Sequence, residues 1–259
     1  MGKLDGKVAL ISGGSRGQGE AQARLFAREG AQVALADVLD AEGELVAASI
    51  NDTGGDALYH HLDVTEQNQW QQTVDAVVER YGRLDVLINN AGIARVKFIE
   101  ESTLQDYLEV IMINQVGVWL GMQAAIPAMK DAGSGCIINT SSTAGLEGYP
   151  GLGAYVSSKF AVRGMTKVAA QELGQFNIRV NSVHPGPIDT PMIRDPQIRR
   201  SADEDFDVGR SSPIPRVGHV DEVAKMMLFI AADATYSTGA EFVIDGGVTA
   251  GSSLNRDRD

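Results

Sequence analysis

The N-terminal region of the chain contains the segment Val8-Ala9-Leu10-Ile11-Ser12-Gly13-Gly14-Ser15-Arg16-Gly17-Gln18-Gly19. An apolar run ends in glycines, and a helical pattern then continues to residue 29. This order predicts a strand, a tight turn and a helix. The G-x-x-x-G-x-G spacing is not the G-x-G-x-x-G fingerprint, but it meets the same physical need. Glycine lets the backbone approach an anion, and the helix N-terminus supplies free N–H groups, so the turn predicts pyrophosphate binding.

Strand and helix patterns alternate through the rest of the chain. We predict strands at residues 33–36, 57–61, 84–88, 136–140, 178–183 and 241–244, and helices at 41–50, 66–80, 104–130, 154–173 and 221–231. Strands separated by such helices require parallel crossovers, and continuous apolar strands suit a sheet covered on both faces. The sequence therefore predicts an α/β fold: a single domain over residues 1–259 with a doubly wound, Rossmann-type parallel sheet and helices on both faces.

One segment breaks this alternation. Closely spaced prolines after His184 lead into a charged stretch at residues 199–210 that resembles neither a strand nor a buried helix. Loops of this length are usually functional or disordered. We therefore predict a substrate lid at about residues 186–215.

The composition excludes several classes of protein. Over 259 residues, 44% hydrophobic and 22% charged side chains are ordinary for a globular protein. The net charge of -12 repels polyanions, so we expect no nucleic-acid partner. The single Cys136 cannot form an internal disulfide, and no apolar run approaches the roughly 20 residues of a membrane helix, so we expect a cytoplasmic protein without a membrane partner. The four histidines lack metal-ligand spacing, and we predict no metal site.

An acidic residue follows the predicted second strand. Asp37 lies 18 residues after Gly19, where a carboxylate can accept hydrogen bonds from the ribose hydroxyls of a dinucleotide. The same carboxylate repels a 2′-phosphate, so Asp37 favours NAD over NADP, although the Arg16 cation partly compensates. The alternatives are a cap or turn role for Asp37 and a plain connection for the glycines.

A tyrosine and a lysine share one face of the predicted helix at residues 154–173. Tyr155 and Lys159 are four residues apart, the spacing that brings helical side chains together. A free phenol is a poor base at neutral pH, but an adjacent ammonium favours the phenolate. The pair therefore predicts a general acid–base centre; the alternative is a solvated helix face, where Tyr-x-x-x-Lys is common.

Further motifs extend over nearly the whole chain: Asp63-Val64, Asn89-Asn90-Ala91-Gly92, Asn114, Ser141-Ser142 and Pro185-Gly186. Singly, these could be strand-ending turns, a cap and a chain reversal. Together with the glycine turn and Tyr155-x-x-x-Lys159, their order and spacing resemble those of the short-chain dehydrogenase/reductase family.

The resemblance implies roles for four residues. The residue matching Ser142 hydrogen-bonds the substrate oxygen, and the one matching Tyr155 exchanges a proton with it. The lysine matching Lys159 lowers the tyrosine pKa and holds the nicotinamide ribose, and the residue matching Asn114 bends a helix and binds a water leading to that lysine. In oxidation the Tyr155 phenolate takes the hydroxyl proton while the nicotinamide accepts hydride, and reduction reverses these steps.

The resemblance also implies an NAD-binding surface. We expect it to comprise Gly13, Ser15, Arg16, Gly17, Gln18, Gly19, Asp37, Val38, Asp63, Val64, Asn90, Ala91, Gly92, Thr140, Tyr155, Lys159, Pro185, Gly186, Ile188 and Thr190. Two residues depart from the family pattern: Ser12 replaces the usual threonine, and Gln18 replaces a common apolar residue.

The predicted reaction is hydride transfer between NAD(H) and a secondary alcohol or ketone. Within the family, the closest resemblance is to bacterial 3α/20β-hydroxysteroid dehydrogenases, which makes a hydroxysteroid one candidate substrate. Arg95, Val96, residues 143–149 and the lid should line the substrate wall. Arg95, Glu147 and the charged stretch at residues 199–210 suit a flat apolar steroid poorly. Polyols, cyclic alcohols and 3-oxoacyl substrates therefore stay open, as does a catalytically silent nucleotide sensor.

The predicted helix at residues 154–173 carries apolar side chains on more than one face. An exposed apolar face usually marks a partner surface. Relatives in the family pair the helices matching residues 104–130 and 154–173 across one two-fold axis and the last strand across another. We therefore expect a homotetramer, with a monomer as the alternative.

Overall fold

A computed structural model describes residues 2–195 and 212–251. Its strands are β1 (Val8–Ser12), β2 (Gln32–Asp37), β3 (Asp56–His61), β4 (Val86–Asn89), β5 (Gly135–Thr140), β6 (Ile178–Pro185) and β7 (Glu241–Ile244). Its α-helices are α1 (Gly17–Arg28), α2 (Asp40–Asp52), α3 (Gln67–Tyr81), α4 (Leu104–Ile111), α5 (Gly117–Asp131), α6 (Gly153–Leu173), α7 (Pro191–Arg194) and α8 (Val220–Ala232). Each predicted strand and helix is present within a few residues of its expected bounds. The short helix α7 was not predicted.

All seven strands form one parallel sheet in the order β3-β2-β1-β4-β5-β6-β7. The strand order reverses between β1 and β4, which are direct neighbours. The predicted doubly wound parallel sheet is therefore confirmed. In such sheets, ligands bind beyond the carboxyl ends of the strands, at the point of reversal.

The sheet separates two apolar cores. Val8 and Leu10 of β1 pack into one core with α3, α5 and α6, whereas Ala9 and Ile11 pack into the other with α1, α2 and α8. Because side chains alternate between the faces of a strand, a continuous apolar run places half of its residues in each core. Helices on both faces are thus confirmed, and they hold the strand ends in a fixed arrangement.

The predicted helix over residues 104–130 changes its geometry at its centre, where the resemblance implies that Asn114 bends a helix. A π-helical turn, Met112–Val116, separates α4 from α5. Asn114 lies in this turn and is fully buried. Its amide makes two hydrogen bonds with the main chain of Ile93, a long-range contact that the local helical pattern does not contain.

Within the described residues, one helical run, Leu104–Asp131, is long and apolar enough to cross a membrane by length and composition. The sequence expectation that no apolar run approaches this length is therefore corrected. Half of the apolar window is buried inside the fold, as in a core helix, so the run is weak evidence for a membrane span. Most of the predicted lid, residues 196–211, lies outside the described residues.

Candidate active site

The glycine turn between β1 and α1 leaves no room for a side chain at Gly13 or Gly19. Gly13 has a φ of +66°, and a Cβ atom there would lie 2.8 Å from the Cα of Ala91. A Cβ on Gly19 would collide with the carbonyl oxygen of Gly13. No side chain caps α1 at Arg16, so the first N–H groups of the helix are available to an anion.

Ser12 and Asn90 hold this turn in place. The Ser12 hydroxyl accepts hydrogen bonds from the main-chain N–H groups of Asn90 (3.1 Å) and Ala91 (3.3 Å). The Asn90 amide donates to the carbonyl oxygens of Ser12 (3.2 Å) and Gly13 (3.1 Å). Serine therefore supplies the hydroxyl that the family's threonine has, and the Asn90 side chain supports the turn from behind.

Asp37 ends β2 beside the same turn. One of its carboxylate oxygens accepts the N–H of Ser15 at 3.1 Å, and the other accepts the N–H groups of Val38 (2.8 Å) and Leu39 (3.2 Å). The carboxylate thus joins the glycine turn to the β2–α2 connection. These hydrogen bonds give Asp37 a turn-stabilising role, which the sequence offered as the alternative to binding the ribose.

Sequence analysis missed Tyr59, which supports this acidic corner. Its hydroxyl lies 2.6 Å from the Asp37 carbonyl oxygen and 2.7 Å from the Asp40 carboxylate. Burial and the neighbouring carboxylates raise the pKa of Tyr59. The alternation of β3 predicts a strand residue here, but it does not indicate which side chain reaches across to β2.

Two other predicted cofactor residues, Asp63 and Val64, follow β3. The Asp63 carboxylate accepts from the N–H and the hydroxyl of Thr65, at 2.9 and 2.8 Å. The Val64 carbonyl oxygen accepts the indole N–H of Trp70 at 3.0 Å. These contacts fix the loop at the carboxyl end of β3, at the same edge of the sheet as Asp37.

The segment after β6 returns to the glycine turn. The N–H of Gly186 bonds to the Ile244 carbonyl oxygen at 2.9 Å, and Ile188 is buried and bridges Gly218. A Cβ on Gly17 would lie 3.5 Å from the Thr190 methyl group. Predicted cofactor residues that lie far apart in sequence are thus brought to one edge of the sheet.

Tyr155, Lys159 and Ser142 meet beside the end of β5. The Ser142 side chain lies close enough to Tyr155 to lower the pKa of the phenol, and its hydroxyl accepts the N–H of Ala144 at 3.1 Å. The Lys159 ammonium is buried, lies 5.5 Å from the centre of the Tyr155 ring and donates to the Thr140 carbonyl oxygen at 2.8 Å. The structure therefore places these three predicted catalytic side chains together.

Asn114 reaches the same place from the π-helical turn. Its amide oxygen accepts the N–H of Ile93 at 2.8 Å, and its amide nitrogen donates to the Ile93 carbonyl oxygen at 2.9 Å and to the Ser158 hydroxyl at 3.2 Å. A Cβ on Gly92 would lie 3.2 Å from the Asn114 amide oxygen and 3.7 Å from the Lys159 nitrogen. Gly92 therefore leaves these two polar groups close to each other.

Comparison with known proteins agrees with this geometry. A family profile described as enoyl-(acyl carrier protein) reductase matches residues 13–249. The 3-alpha-(or 20-beta)-hydroxysteroid dehydrogenase of Mycobacterium tuberculosis is 45% identical over 255 residues, which cover 98% of this chain and 94% of the relative. The chain belongs to the short-chain dehydrogenase/reductase family. It is an oxidoreductase of that family.

Two further matches span nearly the whole of this dehydrogenase/reductase. The trans-4-hydroxycyclohexanecarboxylate dehydrogenase of Sinomonas cyclohexanicum is 45% identical over 258 residues, covering 97% of this chain and 96% of the relative. The crystal structure of levodione reductase superimposes with a TM-score of 0.90 at 35% identity, covering 95% of this chain and 99% of that one. The match in three dimensions confirms the Rossmann-type fold.

Burial dominates the electrostatics of this dehydrogenase/reductase site. Burial raises the pKa of Tyr155, and its hydrogen bond with Ser142 opposes that rise. Burial lowers the pKa of Lys159 to about 8. The sequence predicts that Lys159 lowers the tyrosine pKa, but in this structure the loss of hydration outweighs any such effect.

The residues of the site fit a nicotinamide dinucleotide, the cofactor class of the family. Within the described residues, the Gln18 amide oxygen and the Thr140 hydroxyl are buried and have no hydrogen-bond partner. Buried polar atoms are nearly always satisfied, so these two call for a polar ligand. The tight glycine turn and the uncapped N-terminus of α1 provide the phosphate end of such a site.

An open pocket of about 420 Å³ lies beside the start of α6, the helix that carries Tyr155. Its lining is mainly apolar and aromatic and comprises Phe98, Ile99, Glu100, Tyr149, Pro150, Gly151 and Gly153. Of the substrate wall expected at Arg95, Val96, residues 143–149 and the lid, Tyr149 lines this pocket, whereas Phe98 and Ile99 were not among the expected residues. Phe98 is 54% exposed and Ile99 is 87% exposed. Exposed apolar side chains that lie side by side indicate a binding surface, and only the structure reveals this exposure.

Proposed function

We propose that this protein interconverts a cyclic secondary alcohol and its ketone with NAD(H). The juxtaposition of Tyr155, Ser142 and Lys159 carries the proposal, because it brings a proton-exchanging phenol, a hydrogen-bonding hydroxyl and a buried ammonium to one point. The bound dinucleotide would supply the hydride acceptor or donor, and its oxidised ring is positively charged.

The protein's own residues move the proton. The Tyr155 hydroxyl exchanges a proton with the substrate oxygen, while the Ser142 hydroxyl shares a hydrogen bond with the same oxygen and orients it. Lys159, which is fixed by the Thr140 carbonyl oxygen, places positive charge near the phenol. That charge stabilises the phenolate against the cost of burial when the alcohol is oxidised.

Asp37 supports NAD as the preferred dinucleotide. Its carboxylate is held at the end of β2 by the N–H groups of Ser15 and Val38, beside the turn that would bind the pyrophosphate. Carboxylate oxygens accept from ribose hydroxyls and repel a 2′-phosphate. Arg16 is exposed on the same turn and is the residue that would moderate this preference.

The other predicted contacts belong to the same proposal. Asp63 and Val64 would lie along the adenine, and Asn90, Ala91 and Gly92 along the adenosine ribose. Gln18 and Thr140 would form hydrogen bonds with the dinucleotide. The segment after β6 would surround the nicotinamide with Pro185, Gly186, Ile188 and Thr190. Their common position at the carboxyl edge of the sheet supports this assignment.

An uncharged ring fits the substrate side best. Phe98, Ile99 and Pro150 offer apolar surface, and Glu100 is the one charged residue in the described lining. The nearby cations are already paired: Arg95 with Glu109 at 2.7 Å, and Lys97 with Asp106 at 2.8 Å. The named activities of the two curated relatives, on a hydroxysteroid and a hydroxycyclohexanecarboxylate, support a ring-bearing secondary alcohol.

The proposal also includes the cellular compartment and the oligomeric state of the protein. The single thiol of Cys136 is buried, which suits a reducing compartment such as the cytoplasm. Exposed apolar side chains on α4, α5, α6 and α8 support a homotetramer.

Absorbance at the reduced-nicotinamide band tests the reaction directly. The protein is mixed with a panel of cyclohexanol, cyclopentanol, 3α-hydroxysteroid and linear polyol in the presence of NAD or NADP, and with a 3-oxoacyl thioester in the presence of NADH or NADPH. We expect NAD-dependent turnover of the cyclic alcohols. Tight NAD binding without turnover of any compound would favour a nucleotide sensor instead.

A further inference from the structure

One buried side chain touches the proposed catalytic serine from behind. His184 lies near the end of β6 and is completely buried. Its Nδ1 atom is 3.1 Å from the main-chain carbonyl oxygen of Ser142, and its Nε2 atom is 2.8 Å from the hydroxyl of Ser182. The imidazole therefore bridges β6 and the loop that follows β5.

These two contacts specify one tautomer. A carbonyl oxygen only accepts hydrogen bonds, so Nδ1 must carry the proton that faces Ser142. In the neutral ring, Nε2 is then bare and accepts from the Ser182 hydroxyl at 2.8 Å, a shorter contact than that of the same hydroxyl with the Ala240 carbonyl oxygen at 3.4 Å. Burial lowers the pKa of His184, and the charged groups near it are Glu241, Arg163 and Lys159.

The Ser142 carbonyl has both of its acceptor positions filled. The N–H of Gly145 bonds to it at 2.9 Å and closes the short 3₁₀ turn Thr143–Gly145, while His184 occupies the second position. The Ser142 peptide is thus held on one side by local structure and on the other by a side chain 42 residues away. Its hydroxyl, on the same residue, points to Tyr155.

We infer that His184 is a positioning residue, which orients Ser142 toward Tyr155 through the hydrogen bond from Nδ1 to the Ser142 carbonyl oxygen. This inference rests on the proposed roles of Ser142 and Tyr155. Loss of the bond lets the Ser142 peptide rotate and weakens the contact of its hydroxyl with the phenol and the substrate oxygen. His184 itself touches neither the proposed substrate nor the reacting atoms.

Two amide variants distinguish the ring nitrogens. In His184→Asn the side-chain NH₂ occupies the place of Nδ1 and can still donate to Ser142, whereas in His184→Gln the amide reaches toward Ser182 instead. We expect His184→Asn to keep kcat within about threefold and His184→Gln to lower it about tenfold or more, with the NAD dissociation constant unchanged in both. Equal losses in the two variants would overturn the inference.

A double-mutant comparison separates positioning from general damage. If His184 acts through the serine, His184→Gln should lower kcat in the parent protein but have little further effect in Ser142→Ala. The same loss in both backgrounds would contradict the inference. If Ser142→Ala retains full activity, the proposed function fails instead, which keeps the two outcomes distinct.

A measurement on the unmodified protein does not depend on how the variants fold. Nitrogen-15 chemical shifts of labelled histidine side chains, assigned with His184→Asn, report which ring nitrogen carries the proton. We expect the neutral tautomer with the proton on Nδ1 across pH 6–8, a range around the ordinary histidine pKa of about 6.5. The Nε2-protonated tautomer would rule out donation to Ser142 and overturn the inference.

Discussion

The Lys159 ammonium donates a hydrogen bond to the carbonyl oxygen of Thr140, 2.8 Å away, from a position that is 3% exposed. No carboxylate pairs with this ammonium among its described contacts, and burial lowers its pKa to about 8. Burying a cation with one neutral partner costs stability. The folded protein is therefore destabilised at Lys159, the residue whose charge would stabilise the Tyr155 phenolate.

Lys159→Met should therefore stabilise the protein and inactivate it. The fall in pKa from 10.5 to about 8 corresponds to roughly 3 kcal/mol, which is the upper limit of the gain at pH 7. Below pH 8 Lys159 is protonated in both the folded and the unfolded protein, so the full cost of burying its charge is present. Between pH 8 and 10.5 the unfolded chain binds more protons, and the parent protein gains stability as the pH rises.

Urea unfolding at pH 7 and pH 10, without cofactor, tests this linkage. We expect a higher free energy of unfolding for Lys159→Met at pH 7 and a smaller difference at pH 10. Lys225→Met, at an exposed lysine of α8, is the matched control and should change neither value. A destabilised Lys159→Met at pH 7 would mean that the bond to Thr140 outweighs the cost of burial.

Tyr155→Phe removes the proton-exchanging group with little change in volume. We expect kcat to fall about 1,000-fold or more while the NAD dissociation constant changes less than about threefold. Single-turnover absorbance and cofactor titration measure these quantities separately. Tyr236→Phe, at a fully exposed tyrosine outside the site, is the control and should retain turnover; substantial activity in Tyr155→Phe would remove the mechanism.

The same variant reports the tyrosine pKa. Burial raises the pKa of Tyr155 in the protein without cofactor, so its phenolate should not form below pH 10. Binding of positively charged NAD should lower that pKa, and oxidation should then increase with pH. Difference absorbance of tyrosinate, parent minus Tyr155→Phe, should show a titration below pH 10 only when NAD is present.

Local patterns predict much of this fold because the central strands β1, β2 and β4 are largely apolar on both faces and helices separate successive strands. The glycine turn and Tyr155-x-x-x-Lys159 are likewise readable, since turn geometry and helical spacing act over a few residues. The π-helical turn around Asn114 cannot be predicted from local periodicity, because it depends on hydrogen bonds to Ile93, 21 residues away. Only the family resemblance indicates a helix bend at this residue. Tyr59 and His184 act through contacts between neighbouring strands, which only the register of the sheet reveals.

The direction of the pKa shifts in the site could not be predicted from the sequence either. Spacing places Lys159 beside Tyr155 and suggests a lower phenol pKa. Burial sets the direction in the structure, and it depends on packing contributed by several elements. Residue types can thus be predicted from pattern, whereas their pKa values require the complete environment.

Asp37→Ala should narrow the preference for NAD over NADP. Removing the carboxylate deletes acceptors for the ribose hydroxyls and the repulsion of a 2′-phosphate, a change of about 1–3 kcal/mol in relative affinity. Titration with both cofactors measures it. Asp40→Asn, which removes a charge from the same corner, is the control and should preserve the preference; equal affinities in the parent protein would contradict the assignment.

Substrate charge provides the next test. Glu100 lines the pocket and Arg95 is neutralised by Glu109, so 4-methylcyclohexanol should have a kcat/KM about tenfold or more above that of 4-hydroxycyclohexanecarboxylate. Glu109→Gln frees the Arg95 cation and should reduce this ratio. Glu79→Gln, on α3, should leave it unchanged, and a preference for the carboxylate in the parent protein would show that another cation serves the site.

Assembly is the last prediction, and it rests on a stripe of α6. Phe160 and Val168 are 42% and 56% exposed, and a Cβ on Gly164 between them would meet no atom within 4 Å. Residues four apart share one helix face, so the three form a smooth apolar strip. Trp119 of α5 is also 53% exposed. Such strips usually pack against a second copy, and soluble homo-oligomers usually close with two-fold symmetry.

Val168→Glu should disrupt that interface, because two copies would bring like charges together across the two-fold axis. Light scattering coupled to gel filtration should give the mass of four chains for the parent protein and of two for the variant, since a second interface through β7 remains. Leu45→Glu alters an even more exposed apolar residue on α2, remote from both proposed interfaces, and should leave four chains together. A parent mass of one chain would overturn the assembly, whereas a mass of two that Val168→Glu leaves intact would locate the interface elsewhere than α6.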